Sequence, residues 1–189
     1  MKKLSKFAEL PDYVMNQILT SFKLLTRIIV NQSQVQHRDR VLRAYFEGRN
    51  WDENNEYILK RKLILNSTQL LPNYPYVVED EWEVEPGRTD RGRGDLVFTD
   101  GIGCFAVIEV KWIDLESIGR TGSTKRASNN KKRRTVEAQA ISYAHIYAEL
   151  AFGKLETVKQ VEAFMFTNEY EQPWRLETLL PSALKVISI

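Results

Sequence analysis

The chain has 189 residues, of which 43% are hydrophobic, 28% charged and 11% aromatic. An apolar fraction of this size excludes global disorder, and nine glycines with six prolines exclude fibrous and low-complexity proteins. One cysteine and two histidines exclude a disulfide framework and a multi-cysteine zinc site, and they disfavour a histidine-rich metal cage. A formal net charge of +2 argues neither for nor against a polyanionic partner. The positions of the charges along the chain are more informative than their sum.

The start of the chain lacks the pattern of a membrane span or a signal peptide. Lys23 and Arg27 interrupt the apolar stretch over residues 22–30, which is far shorter than the roughly 20 apolar residues that a span needs. Glu9 and Asp12 stand where a signal peptide carries its apolar core. We therefore expect a soluble intracellular protein with no membrane partner, which suits an unpaired thiol.

Apolar residues at steps of three and four predict three helices in the first third of the chain, over residues 11–30, 33–46 and 52–65. Asp12 beside Pro11 suits the start of the first helix, and Gly48 suits the end of the second.

A period of two then replaces the helical period, which predicts strands. Residues 76–85 alternate apolar and acidic side chains, so we expect a strand with an acidic, solvent-facing side. Residues 96–99 form a short β-favouring run that ends at the turn dipeptide Asp100-Gly101. Residues 104–113 are apolar on both faces, which is typical of a central strand in a covered sheet.

The second half of the chain begins with a polar segment, residues 114–135, that predicts a long functional or mobile loop. A helix is predicted over residues 135–152 and a buried strand over residues 161–166, and no element is assigned to the tail. The order α–β–β–β–loop–α–β predicts an α/β fold with a mixed sheet and helices on both faces.

Two charged residues interrupt the apolar strand, Glu109 and Lys111. Residues two apart on a strand point to the same face, and burying such charges is costly unless they are paired or bind a metal. A structural ion pair is one explanation, because E-x-K tripeptides are common.

Asp95 favours the other explanation, which is a metal site. A short hairpin joins residues 96–99 to the next strand, so Asp95 can reach Glu109 and Lys111. Two carboxylates at one strand end suit Mg²⁺ or Mn²⁺, which polarises phosphoryl oxygens and acidifies bound water. Lys111 could then orient the attacking water or stabilise the developing charge. Asp95 as a simple turn or strand-initiating residue is the alternative.

Gly94-Asp95, a turn, and Glu109-Val110-Lys111 in an apolar strand resemble the signature of the PD-(D/E)xK, or restriction-endonuclease-like, nucleases. The predicted order α–β–β–β–α–β is also the core order of that superfamily. The resemblance implies that Asp95 and Glu109 hold the metal ion, with help from the Val110 carbonyl. It also implies that Lys111 assists hydrolysis of DNA phosphodiester bonds. Gly94 stands where the family has a proline, a common departure that leaves the ligand set intact.

Further positions fit the same resemblance. Gln139 and Tyr143 lie four apart in the helix after the central strand, which resembles the Q-x-x-x-Y signature of the RecB-type branch. Glu56 stands where many members carry an additional acid that completes the site, with Glu53 as a competitor and a solvated role open for both. The RecB-type histidine has no secure counterpart here. His145 is expected to pack or to hydrogen bond rather than to bind metal.

The resemblance covers residues 52–168. Residues 1–50 are therefore expected to form a helical extension that packs on the core or mediates pairing, and residues 51–189 to form the nuclease-like domain. A homodimer would allow such a protein to cut two strands.

Basic residues flank the predicted metal site on both sides in sequence, and a phosphate-backbone track needs such residues. They are Arg88, Arg91, Arg93, Arg120, Lys125, Arg126, Lys131, Lys132, Arg133 and Arg134. The run 131–134 could instead be a solvated loop, or a nuclear import signal if the source is eukaryotic. A nuclear location is then expected, and a cytoplasmic one otherwise. The acidic strand has the opposite sign and is expected to face solvent or to repel nucleic acid. A role for one of its acidic residues in metal binding is the less favoured alternative.

The sequence therefore predicts a Mg²⁺- or Mn²⁺-dependent deoxyribonuclease. The alternatives are a nucleic-acid-binding protein that keeps the fold without cutting, and a nuclear effector that binds protein partners.

Overall fold

A computed structural model describes residues 31–49, 53–84, 87, 92–115, 122–152 and 157–181, excluding the side chains of residues 122–125. The helix predicted over residues 11–30 lies outside these ranges. The described residues form helices α1 (Gln32–Gly48), α2 (Asn55–Leu65), α3 (Ser67–Leu70) and α4 (Gly122–Phe152). They also form strands β1 (Tyr76–Glu83), β2 (Arg93–Thr99), β3 (Cys104–Lys111), β4 (Gln160–Thr167) and β5 (Trp174–Leu179).

Two asparagines fix the starts of the first helices. The Asn31 side chain accepts a hydrogen bond from the Ser33 amide at the start of α1. The Asn54 side chain accepts from the Glu56 and Tyr57 amides at the start of α2. Such caps satisfy amides that have no partner within the helix. Both helices lie within a few residues of their predicted positions, so these two predictions are confirmed.

The five strands form one mixed sheet in the order β1-β2-β3-β4-β5. Neighbouring strands are antiparallel except β3 and β4, which are parallel. A parallel pair needs a crossover, and α4 lies between these two strands in the chain and supplies it. The predicted α/β fold with a mixed sheet flanked by helices is confirmed.

Both faces of the sheet are covered. On one face, Phe105 and Val107 of β3 join a buried cluster with Tyr147 of α4. On the other face, Ala106 and Ile108 join a buried cluster that includes residues of α2. The apolar pattern of β3 on both parities therefore reflects burial between two helical layers.

Helix α1 is joined to the rest of the fold by a partly buried polar network. Asp39 accepts hydrogen bonds from Arg43 at 2.9 Å and from the Val77 amide of β1, also at 2.9 Å. Arg43 also donates to the Ser67 hydroxyl and to the Pro75 carbonyl, each at 2.7 Å. The part of the predicted extension that the structure describes therefore packs on the core.

The second half of the chain differs from the sequence analysis in one wrong prediction and one element that was not predicted. The segment predicted as a loop up to residue 135 is helical from Gly122. It contains no proline, Lys, Arg and Ala favour helix, and the Asn129 side chain anchors it by donating to the Asp114 carbonyl. The tail, to which no element was assigned, forms β5 on the edge of the sheet.

The acidic side of β1 also differs from the prediction. A register irregularity between Val77 and Glu79 breaks the simple alternation of faces. Glu79 is consequently buried, with 8% of its surface exposed. Asp80 and Glu81 line a cleft, in which Asp80 is partly buried and Glu81 is half exposed. None of the helices in the described ranges has the length and apolar character to cross a bilayer.

Candidate active site

The structure brings Asp95 and Glu109 together at one end of the β2–β3 hairpin. The Asp95 amide donates to Glu109 Oε1 at 3.0 Å, and the Val110 amide donates to Asp95 Oδ2 at 2.7 Å. The hairpin joining the two strands turns through Gly101 and Gly103, both with positive φ. Each carboxylate is thus held by the backbone of the other strand, which fixes their relative position.

Lys111 lies at the same end of β3 and pairs with a helix residue. Its Nζ is 2.6 Å from Glu56 Oε1, and both side chains are about two-fifths exposed. Of the two acids considered in this helix, Glu56 is therefore the one that reaches the site, while Glu53 is exposed. Lys111 remains accessible to a ligand, and Glu56 holds it in place.

Lys60 of α2 was not predicted as a site residue, although its ammonium lies among the carboxylates of Asp80, Glu81 and Asp95. We call these three carboxylates the acidic cluster. The Lys60 side chain is 8% exposed, and its Nζ lies 2.8 Å from Asp95 Oδ1 and 3.6 Å from Asp80 Oδ1. It also donates a hydrogen bond to Glu81. One signal in the sequence could have found it: Lys60 follows Glu56 by four residues and therefore shares its helix face.

Glu81 reaches Lys60 from an unusual backbone conformation. Its φ is +50°, in the left-handed region that residues with a side chain rarely adopt. Such a conformation costs on the order of 1–2 kcal/mol and persists only where the surroundings enforce it.

Three carboxyl groups at the site, those of Asp80, Asp95 and Glu109, have raised pKa values. Burial, and secondarily the charge of Asp95, raises the pKa of Glu109 to about 8. Burial also raises the pKa of Asp95, although Lys60 opposes the change. Burial by itself lowers the pKa of Lys60, but the charges and hydrogen bonds of Asp95 and Glu81 hold it above its ordinary value. The carboxyl group of Glu109 is therefore largely protonated at neutral pH.

The residues present fit a divalent cation held by two side chains rather than by a closed cage. Within the described ranges, no three His, Cys, Asp or Glu side chains are grouped to hold a metal ion together. Asp95 and Glu109 nevertheless lie side by side, and burial disfavours their charged forms. Mg²⁺ is commonly bound by one or two carboxylates together with waters and substrate phosphate. A cation would also offset the charge that now raises the pKa of Glu109.

The structure explains why position 94 carries glycine and not the proline of the PD-(D/E)xK pattern. Gly94 stands opposite Trp82 in the β1–β2 ladder, and a Cβ built on it would overlap the Trp82 indole. A proline or any other side chain at this position would require the Trp82 ring to move. Trp82 in turn packs edge-on against Tyr143 of α4, with the ring centroids 6.0 Å apart. Burial and the charges of Glu109 and Asp95 raise the pKa of Tyr143, consistent with a ring close to the carboxylate pair.

Two open clefts meet this region. One cleft has a volume of about 380 Å³. Its lining includes three acidic residues of the sheet, Asp80, Glu81 and Asp95, together with Glu56, Lys60, Tyr45, Arg49 and Tyr57. The other, of about 700 Å³, follows α4 and is lined by Lys131, Arg134, Gln139 and Tyr143 together with small and polar residues. We call this second cleft the α4 groove. Gln139 and Tyr143 thus share one groove, as their four-residue spacing indicates.

The remaining predicted nucleic-acid-binding residues fall into three groups. Arg93, Arg126, Lys131 and Arg134 are exposed, and Lys132 is partly exposed. Arg133 is engaged within the fold, because its Nε donates to Glu169 Oε2 at 2.7 Å. The structure describes no side chain for Arg88, Arg91, Arg120 or Lys125.

His145 lies 3.1 Å from Glu177 Oε2, within hydrogen-bonding distance.

Comparisons with known proteins find no matching family model, no matching curated protein and no matching solved structure.

Proposed function

We propose that the chain is a Mg²⁺- or Mn²⁺-dependent DNA nuclease with a restriction-endonuclease-like core. The observation that carries this proposal is the convergence of Asp95, Glu109 and Lys111 at one end of the β2–β3 hairpin, beside Glu56. The α4 groove supports it, since Tyr143 joins that groove to the carboxylate pair.

Each residue has a role in this reaction. Asp95, Glu109 and the Val110 carbonyl would hold the metal ion, which neutralises phosphate charge and makes a bound water more acidic. Lys111, positioned by Glu56, orients the attacking water and stabilises charge on the phosphoryl oxygens. The water oxygen attacks phosphorus, the bond from phosphorus to the leaving sugar oxygen breaks, and that oxygen takes up a proton. Lys131, Arg134 and Gln139 bind the neighbouring phosphates.

The direct test is cleavage of plasmid, nicked, branched and single-stranded DNA with Mg²⁺ or Mn²⁺. We expect Asp95→Asn and Lys111→Met to lower the rate at least about a hundredfold, because each removes a group aligned with the reacting phosphate. Glu56→Gln is expected to reduce the rate less, and Glu53→Gln, a matched exposed neighbour, to leave it unchanged. Wild-type protein that cuts none of these substrates, or variants that cut as fast as wild type, would contradict the proposal.

A second candidate is a nucleic-acid-binding protein that does not cut. Lys60 favours it, because its ammonium group already neutralises Asp95 without any metal ion. DNA binding that is equally tight in EDTA and in Mg²⁺, with no detectable Mn²⁺ site, would support this candidate over the nuclease.

A further inference from the structure

Lys60 is surrounded by more negative charge than it can neutralise. Its ammonium contacts Asp95 and Glu81 and lies 3.6 Å from Asp80, and all three carboxylates belong to the sheet. The side chain is almost wholly buried, so these contacts are shielded from water. A lysine placed in this way is the internal counter-ion of the acidic cluster.

Both carboxylate oxygens of Asp95 already have a partner in this arrangement. Oδ2 accepts from the Val110 amide, which belongs to the backbone of β3, and Oδ1 lies 2.8 Å from the Lys60 ammonium. The backbone contact is fixed by the hairpin. The lysine contact lies at the end of a flexible four-carbon chain and is the one that can be exchanged.

The other two carboxylates offer the ammonium a second position. Glu81 is half exposed, and Asp80 is its neighbour in β1, and both carboxylates lie within reach of the Lys60 ammonium. Lys60 can therefore leave Asp95 and still remain paired, which avoids the cost of a buried unpaired charge.

We propose that Lys60 is a built-in competitor of the metal ion: a divalent cation binds Asp95 only when the Lys60 ammonium moves from Asp95 to Glu81 and Asp80. This inference rests on the metal site of the proposed function. It adds that the Lys60 ammonium weakens metal binding. Two residues outside the nuclease signature, Lys60 and Glu81, then set the affinity of the site for metal.

Substitutions on the two sides of this exchange have opposite effects. Lys60→Met removes the competing charge and keeps the length of the side chain, so we expect Mn²⁺ to bind at least about tenfold more tightly. Glu81→Gln removes the second position of the ammonium, so we expect weaker Mn²⁺ binding than in wild type. Lys62→Met is the matched control, since it is an exposed lysine of the same helix, and it leaves the affinity unchanged. Calorimetric or paramagnetic-resonance titration of the full chain with Mn²⁺ alone measures all four proteins.

Lys60→Met removes the neutralising charge from three carboxylates and so destabilises the fold, and a measurement on the wild type therefore accompanies it. Brief acetylation with acetic anhydride, read by mass spectrometry, reports how well each lysine is protected. We expect Lys60 to be protected without metal and to be labelled several times faster at saturating Mn²⁺, with Lys62 as the internal reference.

The outcomes separate the two proposals. Equal Mn²⁺ affinity in wild type and Lys60→Met, or unchanged Lys60 labelling while Mn²⁺ is bound, overturns the exchange and leaves the nuclease proposal standing. Absence of Mn²⁺ binding in every variant overturns the exchange together with the metal-dependent nuclease. Tighter binding in Lys60→Met without any DNA cleavage supports the exchange and counts against the nuclease alone.

Discussion

Glu109 connects the stability of the fold to pH. Burial and the charge of Asp95 raise its pKa to about 8 from its ordinary value of 4.5. Between these two values the folded protein holds a proton that the unfolded chain releases. The free energy of unfolding therefore falls as the pH rises from 4.5 to about 8.

Glu109→Gln is expected to weaken this dependence, because glutamine stays neutral over the whole range. Denaturant unfolding without metal, at pH 5 and at pH 8, measures it. We expect the fall in free energy to be smaller in the variant by about one to a few kcal/mol. Burial also raises the pKa values of Asp95 and Asp80. Their contribution to the decrease in unfolding free energy has the same sign and is retained in the variant. Glu53→Gln serves as the exposed control, and an equal fall in Glu109→Gln and wild type would show that Glu109 ionises normally.

Gly94 is a steric requirement of the site. We expect Gly94→Ala to lower the free energy of unfolding by about 1–3 kcal/mol, because its methyl group would overlap the Trp82 indole. Gly48→Ala is the control: nothing lies within 4 Å of a Cβ at Gly48, at the end of α1. It is expected to change stability by less than about 1 kcal/mol. Similar losses from both substitutions in denaturant unfolding would refute the steric explanation.

Part of the site could be predicted from single residues and part could not. Asp95 and Glu109 were found because a carboxylate in a strongly apolar strand, or just before one, is conspicuous. Lys60 and Glu81 were missed for a physical reason. A regular strand places Asp80 and Glu81 on opposite faces, and only the irregular register of β1 and the positive φ of Glu81 turn both toward Lys60.

Among the elements, α1 is tied to α3 and to the segment before β1 by Arg43. Arg43 binds Asp39, Ser67 and Pro75, so its removal leaves the Asp39 carboxylate without its main cation. We expect Arg43→Ala to lower the free energy of unfolding by roughly 2–3 kcal/mol. Arg40→Ala, an exposed residue of the same helix, is expected to have little effect. Equal effects of the two in thermal or denaturant unfolding would show that the network does not hold α1.

Element positions were predictable where apolar residues recur with a clear period, as in α1, α2 and β3. The start of α4 was not, because its first turns carry polar residues and no apolar stripe. What holds that part of the helix is tertiary contact, namely Asn129 with Asp114 and Arg133 with Glu169. The edge strand β5 escaped prediction because Trp174 and its neighbours are largely exposed and show no buried alternation.

At the scale of the whole molecule, the small net charge conceals a separation of charge. Acidic residues gather around Lys60, and basic residues border the α4 groove. If DNA follows this groove, each phosphate contact contributes a salt-dependent term to binding.

The double variant Lys131→Gln/Arg134→Gln is expected to weaken DNA binding and to reduce the slope of log K against log salt by about 1–2. Lys62→Gln/Lys159→Gln makes the same change in net charge at exposed positions outside the groove and is expected to keep the slope. Fluorescence anisotropy at several salt concentrations gives both values. A slope that falls equally in the two variants would point to a diffuse charge effect instead of a groove.

The order of strands in the sheet has a consequence for how the molecule folds. Because sheet order equals chain order, β1, β2 and β3 can pair through short connections, whereas β4 joins β3 only after the whole of α4 has been spanned. Short loops close at a lower entropic cost than long ones, so the β1–β3 meander is expected to form first. Asp80, Asp95 and Glu109 all belong to this meander. The chain therefore gathers these carboxyl groups early. At a pH above 8, where Glu109 is ionised in the folded state, we expect added salt to speed folding more than it slows unfolding in stopped-flow kinetics.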